Sequence, residues 1–205
     1  MIPPNEKYGC TVIRITTDDV SHENLENSYE KIRKSLEAIP VGGRIVFDLG
    51  KCSVLGPSVL LKLVKKLQGN AKKRKKGILK GRHFIVLDPS EDVELLLKWF
   101  LKEVHWSLLV AFSKAGAGSH RPQKVLNLPE FLRHPLEIIE RREGTTAREL
   151  EDLLGKELDK EYKTPARVCI RQLFQRGLVI REGYGGADGH PHFIYRAFKL
   201  PQKIQ

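Results

Sequence analysis

Residues 164–182 read Thr-Pro-Ala-Arg-Val-Cys-Ile-Arg-Gln-Leu-Phe-Gln-Arg-Gly-Leu-Val-Ile-Arg-Glu, and this stretch decides the fold of the C-terminal half. Thr164 and Pro165 form a helix N-cap and a first-turn proline, and Gly177 ends the helix that they begin. Apolar residues recur every three or four positions on one face, whereas Arg167 and Arg171 lie on the opposite face. The next run, residues 178–181, is typical of a strand. The stretch therefore predicts an amphipathic helix that leads directly into a β-strand.

A hairpin follows this helix and two helices precede it. Residues 182–192 form a Gly-rich loop, and residues 193–198 form the returning strand. On the other side, residues 135–142 form one helix, and Thr146 with Glu149 is a capping box for a second helix that ends at Gly155. In this order of elements, and in residues 173–182 above all, residues 130–205 resemble the winged helix-turn-helix domains of bacterial and archaeal regulators. The resemblance implies a small α+β fold that binds duplex DNA with its third helix in the major groove.

The residues that we expect to contact DNA lie on the third helix and on the hairpin. Arg167 and Arg171 are one turn apart, with a reach suited to guanine edges or phosphates. Lys163 and Thr164 lie at the helix N-terminus, where backbone amides and the helix dipole favour phosphate. The hairpin supplies contacts to the DNA backbone. The predicted DNA-binding residues are Lys163, Thr164, Arg167, Arg171, Gln175, Arg181, Tyr184, His190, His192 and Arg196.

The distribution of charge agrees with this prediction. The chain carries a net charge of +11, and residues 163–205 hold eight basic and two acidic side chains. Residues 130–162 instead hold six basic and ten acidic side chains. Positive charge is thus concentrated on the presumed DNA-facing side, as a phosphate-binding surface requires. The alternative is a winged helix that docks a protein, with its arginines forming a solvated face.

The N-terminal half alternates strands and helices. We expect strands at 11–15, 44–49, 84–87 and 106–112 and helices at 25–39, 57–68 and 90–104, which indicates βαβ units with parallel neighbours. Residues 45–61, Ile-Val-Phe-Asp-Leu-Gly-Lys-Cys-Ser-Val-Leu-Gly-Pro-Ser-Val-Leu-Leu, resemble the core of STAS domains, the fold of anti-sigma-factor antagonists. The resemblance implies a mixed sheet with helices, used for dimerisation or partner binding, and makes Ser58 a candidate phosphorylation site. Pro57 and Ser58 are also ordinary helix-start residues.

A strongly basic segment lies within this half. Residues 62–82 hold ten basic side chains and no acidic one. A cationic run of this kind favours a polyanion, RNA as well as DNA, although it is also typical of a solvated loop. The residues of this nonspecific nucleic-acid patch are Lys72, Lys73, Arg74, Lys75 and Lys76.

The domain boundary is predicted from residues 113–124, which are small, polar and Gly-rich. We therefore expect a STAS-like α/β domain at residues 1–115, a flexible linker at 116–129 and a winged-helix domain at 130–205.

Composition and motifs exclude several classes of function. The three cysteines form no CxxC pair, which argues against a disulfide framework and a cysteine-rich zinc site. No apolar run is long enough to span a membrane, and residues 1–7 lack an apolar signal core, so we expect a cytoplasmic protein without a membrane partner. Asp48 lies at the end of a predicted strand, and the resemblance to STAS domains implies a structural or partner-facing role for it. His190 and His192, with Cys169 as a third ligand, suggest a metal site, but the two histidines lie two residues apart on a loop and lack a matching second pair, so we expect no metal.

No nucleophile elbow or phosphate-binding loop is present, so we expect neither catalysis nor a cofactor. The sequence predicts a DNA-binding protein of the transcription-regulator class, with a homodimer or a protein partner formed through the STAS-like domain. Two alternatives stay open: an adaptor of the anti-sigma-antagonist type, and an RNA-binding protein that uses residues 72–76.

Overall fold

The computed structural model of the protein describes residues 10–14, 25–40, 42–50, 62, 69–70, 75–76, 82–113, 122–142, 144–157, 164–185 and 191–200. The chain divides into two compact units. Unit 1 comprises Met1–Asn127 and Lys199–Gln205, and unit 2 comprises Leu128–Phe198. Each unit is described by itself below.

Unit 1 is built on a mixed β-sheet with helices. Its elements are β1 (Cys10–Arg14), α1 (Leu25–Glu37), β2 (Arg44–Asp48), β3 (Gly69–Asn70), β4 (Lys75–Lys76), β5 (His83–Leu87), α2 (Glu91–Glu103), β6 (Leu108–Ala111) and β7 (Gln123–Leu126). The main sheet has the order β1-β2-β5-β6-β7, in which the first four strands are parallel and β7 is antiparallel to β6. The predicted α/β architecture with parallel neighbours is therefore confirmed.

The core of unit 1 lies between one face of this sheet and the two helices. Ile32 of α1 and Phe100 of α2 are buried with Phe47, Phe84 and Val110 of the strands. Because the parallel strands follow one another in chain order, right-handed crossovers place their connecting helices on the same face. Strands β2, β5 and β6 are buried on both faces, which accounts for their continuous apolar sequences.

The last strand and the residue after it lie where the sequence predicted a flexible linker. Residues 123–126 form β7, and the next residue, Asn127, has a left-handed backbone with φ of 53°. Its side-chain amide donates to the carbonyls of Leu101 (2.8 Å) and Trp106 (2.7 Å), and its carbonyl accepts from the Ser107 hydroxyl. The structure thus differs from the predicted linker 116–129: only residues 128 and 129 separate Asn127 from the first helix of unit 2.

The chain also returns to unit 1 at its other end, although the winged-helix domain was predicted to run to residue 205. The amide of Leu200 donates to the Gln123 side-chain carbonyl at 3.2 Å, and the Leu200 side chain is fully buried. The chain therefore passes from unit 1 to unit 2 after Asn127 and returns to unit 1 at Lys199.

Unit 2 contains three helices followed by a hairpin, in the predicted order. The elements are α3 (Glu130–Arg141), α4 (Ala147–Glu157), α5 (Ala166–Gln175), β8 (Val179–Gly185) and β9 (Pro191–Ala197). The hairpin is antiparallel, and Thr145, between α3 and α4, forms an additional antiparallel bridge with Tyr195. Leu132, Leu150 and Leu173, one from each helix, are completely buried. None of the described helices in either unit is long and apolar enough to cross a membrane.

Helix α3 begins five residues before its predicted start. Pro135, interpreted as a first-turn residue, is buried inside the helix. A proline has no amide, so it cannot make the i→i−4 hydrogen bond to the carbonyl of Phe131. The Cys169 thiol of α5 lies 3.9 Å from that carbonyl oxygen. The Phe131 carbonyl thus accepts a weak hydrogen bond from the thiol of a neighbouring helix.

The predicted capping box at α4 is confirmed. The Thr146 amide donates to the Glu149 carboxylate at 2.7 Å, and the Glu149 amide donates to the Thr146 hydroxyl at 3.2 Å. The hydrogen bond from the Thr146 amide to the carboxylate lowers the pKa of Glu149. Other predicted elements lie outside the described residues: of the helix predicted at 57–68, only Lys62 is described, and it is helical.

Candidate nucleic-acid interface

Helix α5 presents one polar stripe to solvent. Ala166, Cys169, Ile170 and Leu173 are buried on its inner face, as predicted. Arg167, Arg171 and Gln175 are all exposed and follow one another at intervals of four residues. With a rise of 1.5 Å per residue, this polar stripe is about 12 Å long. The fold therefore brings these three predicted site residues together on one line.

The two arginines of the polar stripe differ from most other arginines of the protein. Arg33 and Arg133 form ion pairs with glutamates on their own helices, and Arg176 is bonded to Gln172. Arg167 and Arg171 make no hydrogen bond, ion pair or ring contact with any described residue. Their charges are thus not neutralised within the part of the chain that the structure describes, and both guanidinium groups are available to an external anion.

The N-terminus of α5 is organised differently from the prediction. Thr164 is not the N-cap; the cap is Pro165, whose carbonyl accepts from the amide of Val168 at 2.9 Å. The Ala166 amide donates to the carboxylate of Glu151, on α4, at 2.9 Å. A carboxylate of the protein thus occupies a position where we expected a phosphate. Lys163 lies outside the described residues.

The hairpin distributes the predicted contact residues over its two faces. Residues opposite each other in an antiparallel pair lie on the same face, and successive residues alternate. Arg181 pairs with Tyr195 and shares a face with Phe193, whereas His192 and Arg196 lie on the opposite face. The hairpin residues therefore do not form one common surface. His190 and the side chain of Tyr184 lie outside the described residues.

Arg181, on strand β8 of the hairpin, contacts helix α5. Its guanidinium carbon lies 5.1 Å from the ring centre of Phe174 in α5 and 4.5 Å from that of Phe193 in β9. Cation–π contacts at such exposed sites stabilise by about 0.5–1 kcal/mol each. Arg181 is exposed, yet its planar group is held against two rings from different elements, which fixes the hairpin relative to α5.

Arg196 is engaged within the protein. Its Nε donates to the Glu182 carboxylate at 3.2 Å, and both side chains are about one-third exposed. A Cβ added to Gly144 would lie 3.3 Å from the guanidinium of Arg196 and 2.5 Å from Cγ2 of Ile194. The position of Arg196 thus depends on a glycine and an acid of unit 2, and its charge is balanced by Glu182.

Most of the site residues predicted in unit 1 cannot be placed in the structure. Ser58, Lys72, Lys73 and Arg74 lie outside the described residues, as do the side chains of Lys75 and Lys76. Residues 75 and 76 pair antiparallel with residues 70 and 69.

The carboxylates at the ends of the parallel strands have local partners. The Gly50 amide donates to Asp48 at 3.1 Å, and the Ser113 amide donates to Asp88 at 2.6 Å while the Ser113 hydroxyl also bonds Asp88. In open α/β sheets, ligands bind where the strand order reverses, and the described parallel strands follow chain order without a reversal. No group of three or more His, Cys, Asp or Glu positioned to hold a metal occurs among the described residues.

Comparison of the chain with models of known protein families, with curated proteins and with solved structures gave no match. Its function is therefore argued from its own geometry.

Two features of the site were not predicted from the sequence. The cap by Glu151 depends on the approach of α4 to α5 after a connecting segment, and no local pattern indicates it. The stacking of Arg181 depends on the hairpin register, although the aromatic residues Phe174 and Phe193 are visible in the sequence.

Proposed function

We propose that this protein binds duplex DNA through helix α5 of unit 2 and acts as a transcription regulator of the winged-helix class. The observation that carries the proposal is the polar stripe of Arg167, Arg171 and Gln175: all three side chains are exposed, and neither arginine has a charge partner among the described residues. Phosphate neutralisation supplies most of the affinity of such proteins for DNA.

The arrangement of unit 2 supports this proposal. A helix fits the major groove of B-DNA, which is about 12 Å wide. Helix α5 is packed against α3 and α4 on one side and presents the polar stripe on the other. It is followed at once by a hairpin, and Thr145 extends that hairpin by one bridge to Tyr195. Three helices and a small antiparallel sheet in this order are expected of a winged helix-turn-helix domain.

Unit 1 has a separate role in the proposal. Its mixed α/β sheet is compatible with the STAS-like domain that the sequence suggests, which would provide dimerisation or a partner surface. The basic segment at 72–76 would add nonspecific contacts to nucleic acid. The proposal keeps the cytoplasmic location that is expected from the sequence.

The test is fluorescence anisotropy of a labelled random-sequence duplex titrated with the full chain across a salt series. Binding should weaken steeply with salt, and the Arg167→Ala/Arg171→Ala double variant should bind the duplex more weakly than the unaltered protein at each salt concentration. Arg133→Ala is the matched control, because it removes an exposed arginine of the same unit that is already paired with Glu130.

Three other outcomes of the anisotropy titration would argue against DNA binding through α5. If the double variant and Arg133→Ala bind equally well, α5 is not the DNA-binding element. A preference for RNA over duplex at equal salt would instead favour RNA binding through residues 72–76. If no nucleic acid binds at low salt, the adaptor function replaces DNA binding.

A further inference from the structure

We infer that the polar stripe of α5 reads bases, and that the preferred duplex contains guanine, guanine and adenine in that order, at intervals of one or two base pairs. This inference rests on the proposed function and specifies its substrate. It assigns guanine contacts to Arg167 and Arg171 and an adenine contact to Gln175.

The chemistry of the three side chains gives the base identities. The guanidinium of arginine presents two parallel N–H donors, which match the O6 and N7 acceptors of guanine in the major groove. The amide of glutamine presents one donor and one acceptor, which match N7 and the amino group of adenine. No carboxylate in the part of the chain that the structure describes pairs with either arginine and competes for its donors.

The distribution of charge on α5 favours base contacts over phosphate contacts. A helix that binds only the phosphates of the two DNA strands needs cations on both of its sides. In α5, Arg167 and Arg171 lie instead on the same side of the helix. The neighbouring half-buried positions hold Val168, Gln172 and Phe174, which carry no charge. A single central line of donors is suited to the floor of the groove, with phosphates contacted from elsewhere in the protein.

The spacing of the polar stripe gives the spacing of the bases. Successive members are four residues apart, or about 6 Å along the helix axis. Base pairs follow one another at about 3.4 Å. A helix in the major groove is inclined to the DNA axis, so each step along the polar stripe corresponds to one or two base pairs, and the three residues cover a core of about three to five base pairs on either strand.

The experiment is selection of bound duplexes from a random library with the full chain, followed by competition titrations of the selected site against single-base variants. A wrong base at a contacted position should weaken binding roughly 5- to 150-fold. Arg171→Ala should lose the preference at the central guanine alone, and Gln175→Ala at the adenine alone. Arg133→Ala should select the same site as the unaltered protein.

A gain of specificity provides the sharpest test. Gln175→Arg should select guanine in place of adenine at the outer position and keep the other two preferences, a result that a poorly folded variant cannot give. If the protein binds duplex with steep salt dependence but selects no sequence, or if Gln175→Arg leaves the preference unchanged, the inference is wrong while the proposed function stands. If no duplex binds, both are wrong.

Discussion

The carboxylate of Glu151 accepts a hydrogen bond from the backbone amide of Ala166, at 2.9 Å, and so joins helix α4 to the first turn of helix α5. The residues 158–163 between the two helices lie outside the described part of the chain, and this bond is a direct link across them. It satisfies one of the amides that every helix start leaves without an internal partner, and it places negative charge at the positive end of the helix dipole. The position of the polar stripe relative to α4 depends in part on this one side chain.

Replacing Glu151 by alanine should destabilise unit 2. The loss of a helix cap costs about 0.5–2 kcal/mol, and the Ala166 amide would lose its carboxylate partner. Asp152→Ala is the control, because Asp152 is the next exposed acid on α4 and no such bond involves it. Urea unfolding should show a lower midpoint for Glu151→Ala only. Equal midpoints for the two variants would show that the cap contributes nothing.

Gly144 and Gly155 should respond oppositely to alanine. A methyl group on Gly144 would lie 2.5 Å from Ile194, and such overpacking costs about 1–3 kcal/mol. At Gly155, inside α4, an added Cβ meets nothing within 4 Å, and alanine should stabilise the helix by about 0.5–1 kcal/mol. Thermal unfolding of the two variants measures both effects. A stable Gly144→Ala protein would mean that the β9 strand shifts freely at Ile194.

Arg181 should be coupled energetically to Phe193. If the stacking seen between them stabilises the hairpin, Arg181→Ala and Phe193→Leu should not add independently in a double-mutant cycle. We expect a coupling free energy of about 0.5–1 kcal/mol from chemical unfolding. Arg148 is an exposed arginine of the same unit without a ring contact among the described residues, so a cycle of Arg148→Ala with Phe193→Leu should give no coupling. A zero value for Arg181 as well would contradict a stabilising role.

The stability of unit 1 should decrease in mild acid because of His83. Burial, together with the nearby Arg44 guanidinium, lowers the pKa of His83 from 6.5 to about 4. The unfolded chain therefore binds a proton near pH 6.5 that the folded protein binds only near pH 4. The stabilisation is fully present above pH 6.5 and is lost as the pH falls towards 4, with a slope of up to about 1.4 kcal/mol per pH unit.

Unfolding free energies of the full chain between pH 7 and pH 4.5 would measure this effect. His83→Gln should have a shallower pH dependence than the unaltered protein. His105→Asn replaces an exposed histidine with a residue that tolerates the left-handed backbone at this position. It should keep the original slope. An identical slope for His83→Gln would contradict the assignment.

Local signals predicted much of the structure. The capping box at Thr146 and Glu149 and the helix that follows Ser90 were both correct, because each is determined by residues within one turn. The apolar and polar faces of α5 were also assigned correctly, apart from the half-buried Phe174. These features depend on the period of the helix and little on the rest of the chain.

The errors come from interactions between distant residues. Proline is frequent in the first turn of helices, and only the packing of Pro135 inside unit 2 shows that α3 begins earlier. Strand β7 follows a Gly-rich segment and depends on pairing with β6, which no local pattern displays. Likewise, the diagonal ion pair between Arg196 and Glu182 depends on the hairpin register. The candidate site was therefore predictable on α5 and not on the hairpin.

The return of the chain to unit 1 at Leu200 has a consequence for the order of synthesis. Domains generally fold as units from the N-terminus while the chain is being made. Here the residue that bonds Gln123 is made only after the whole of Leu128–Phe198. The Leu200 amide, which donates to the Gln123 side chain, is therefore absent while unit 2 is still being made. Unit 1 is the first unit to begin folding and the last to be completed.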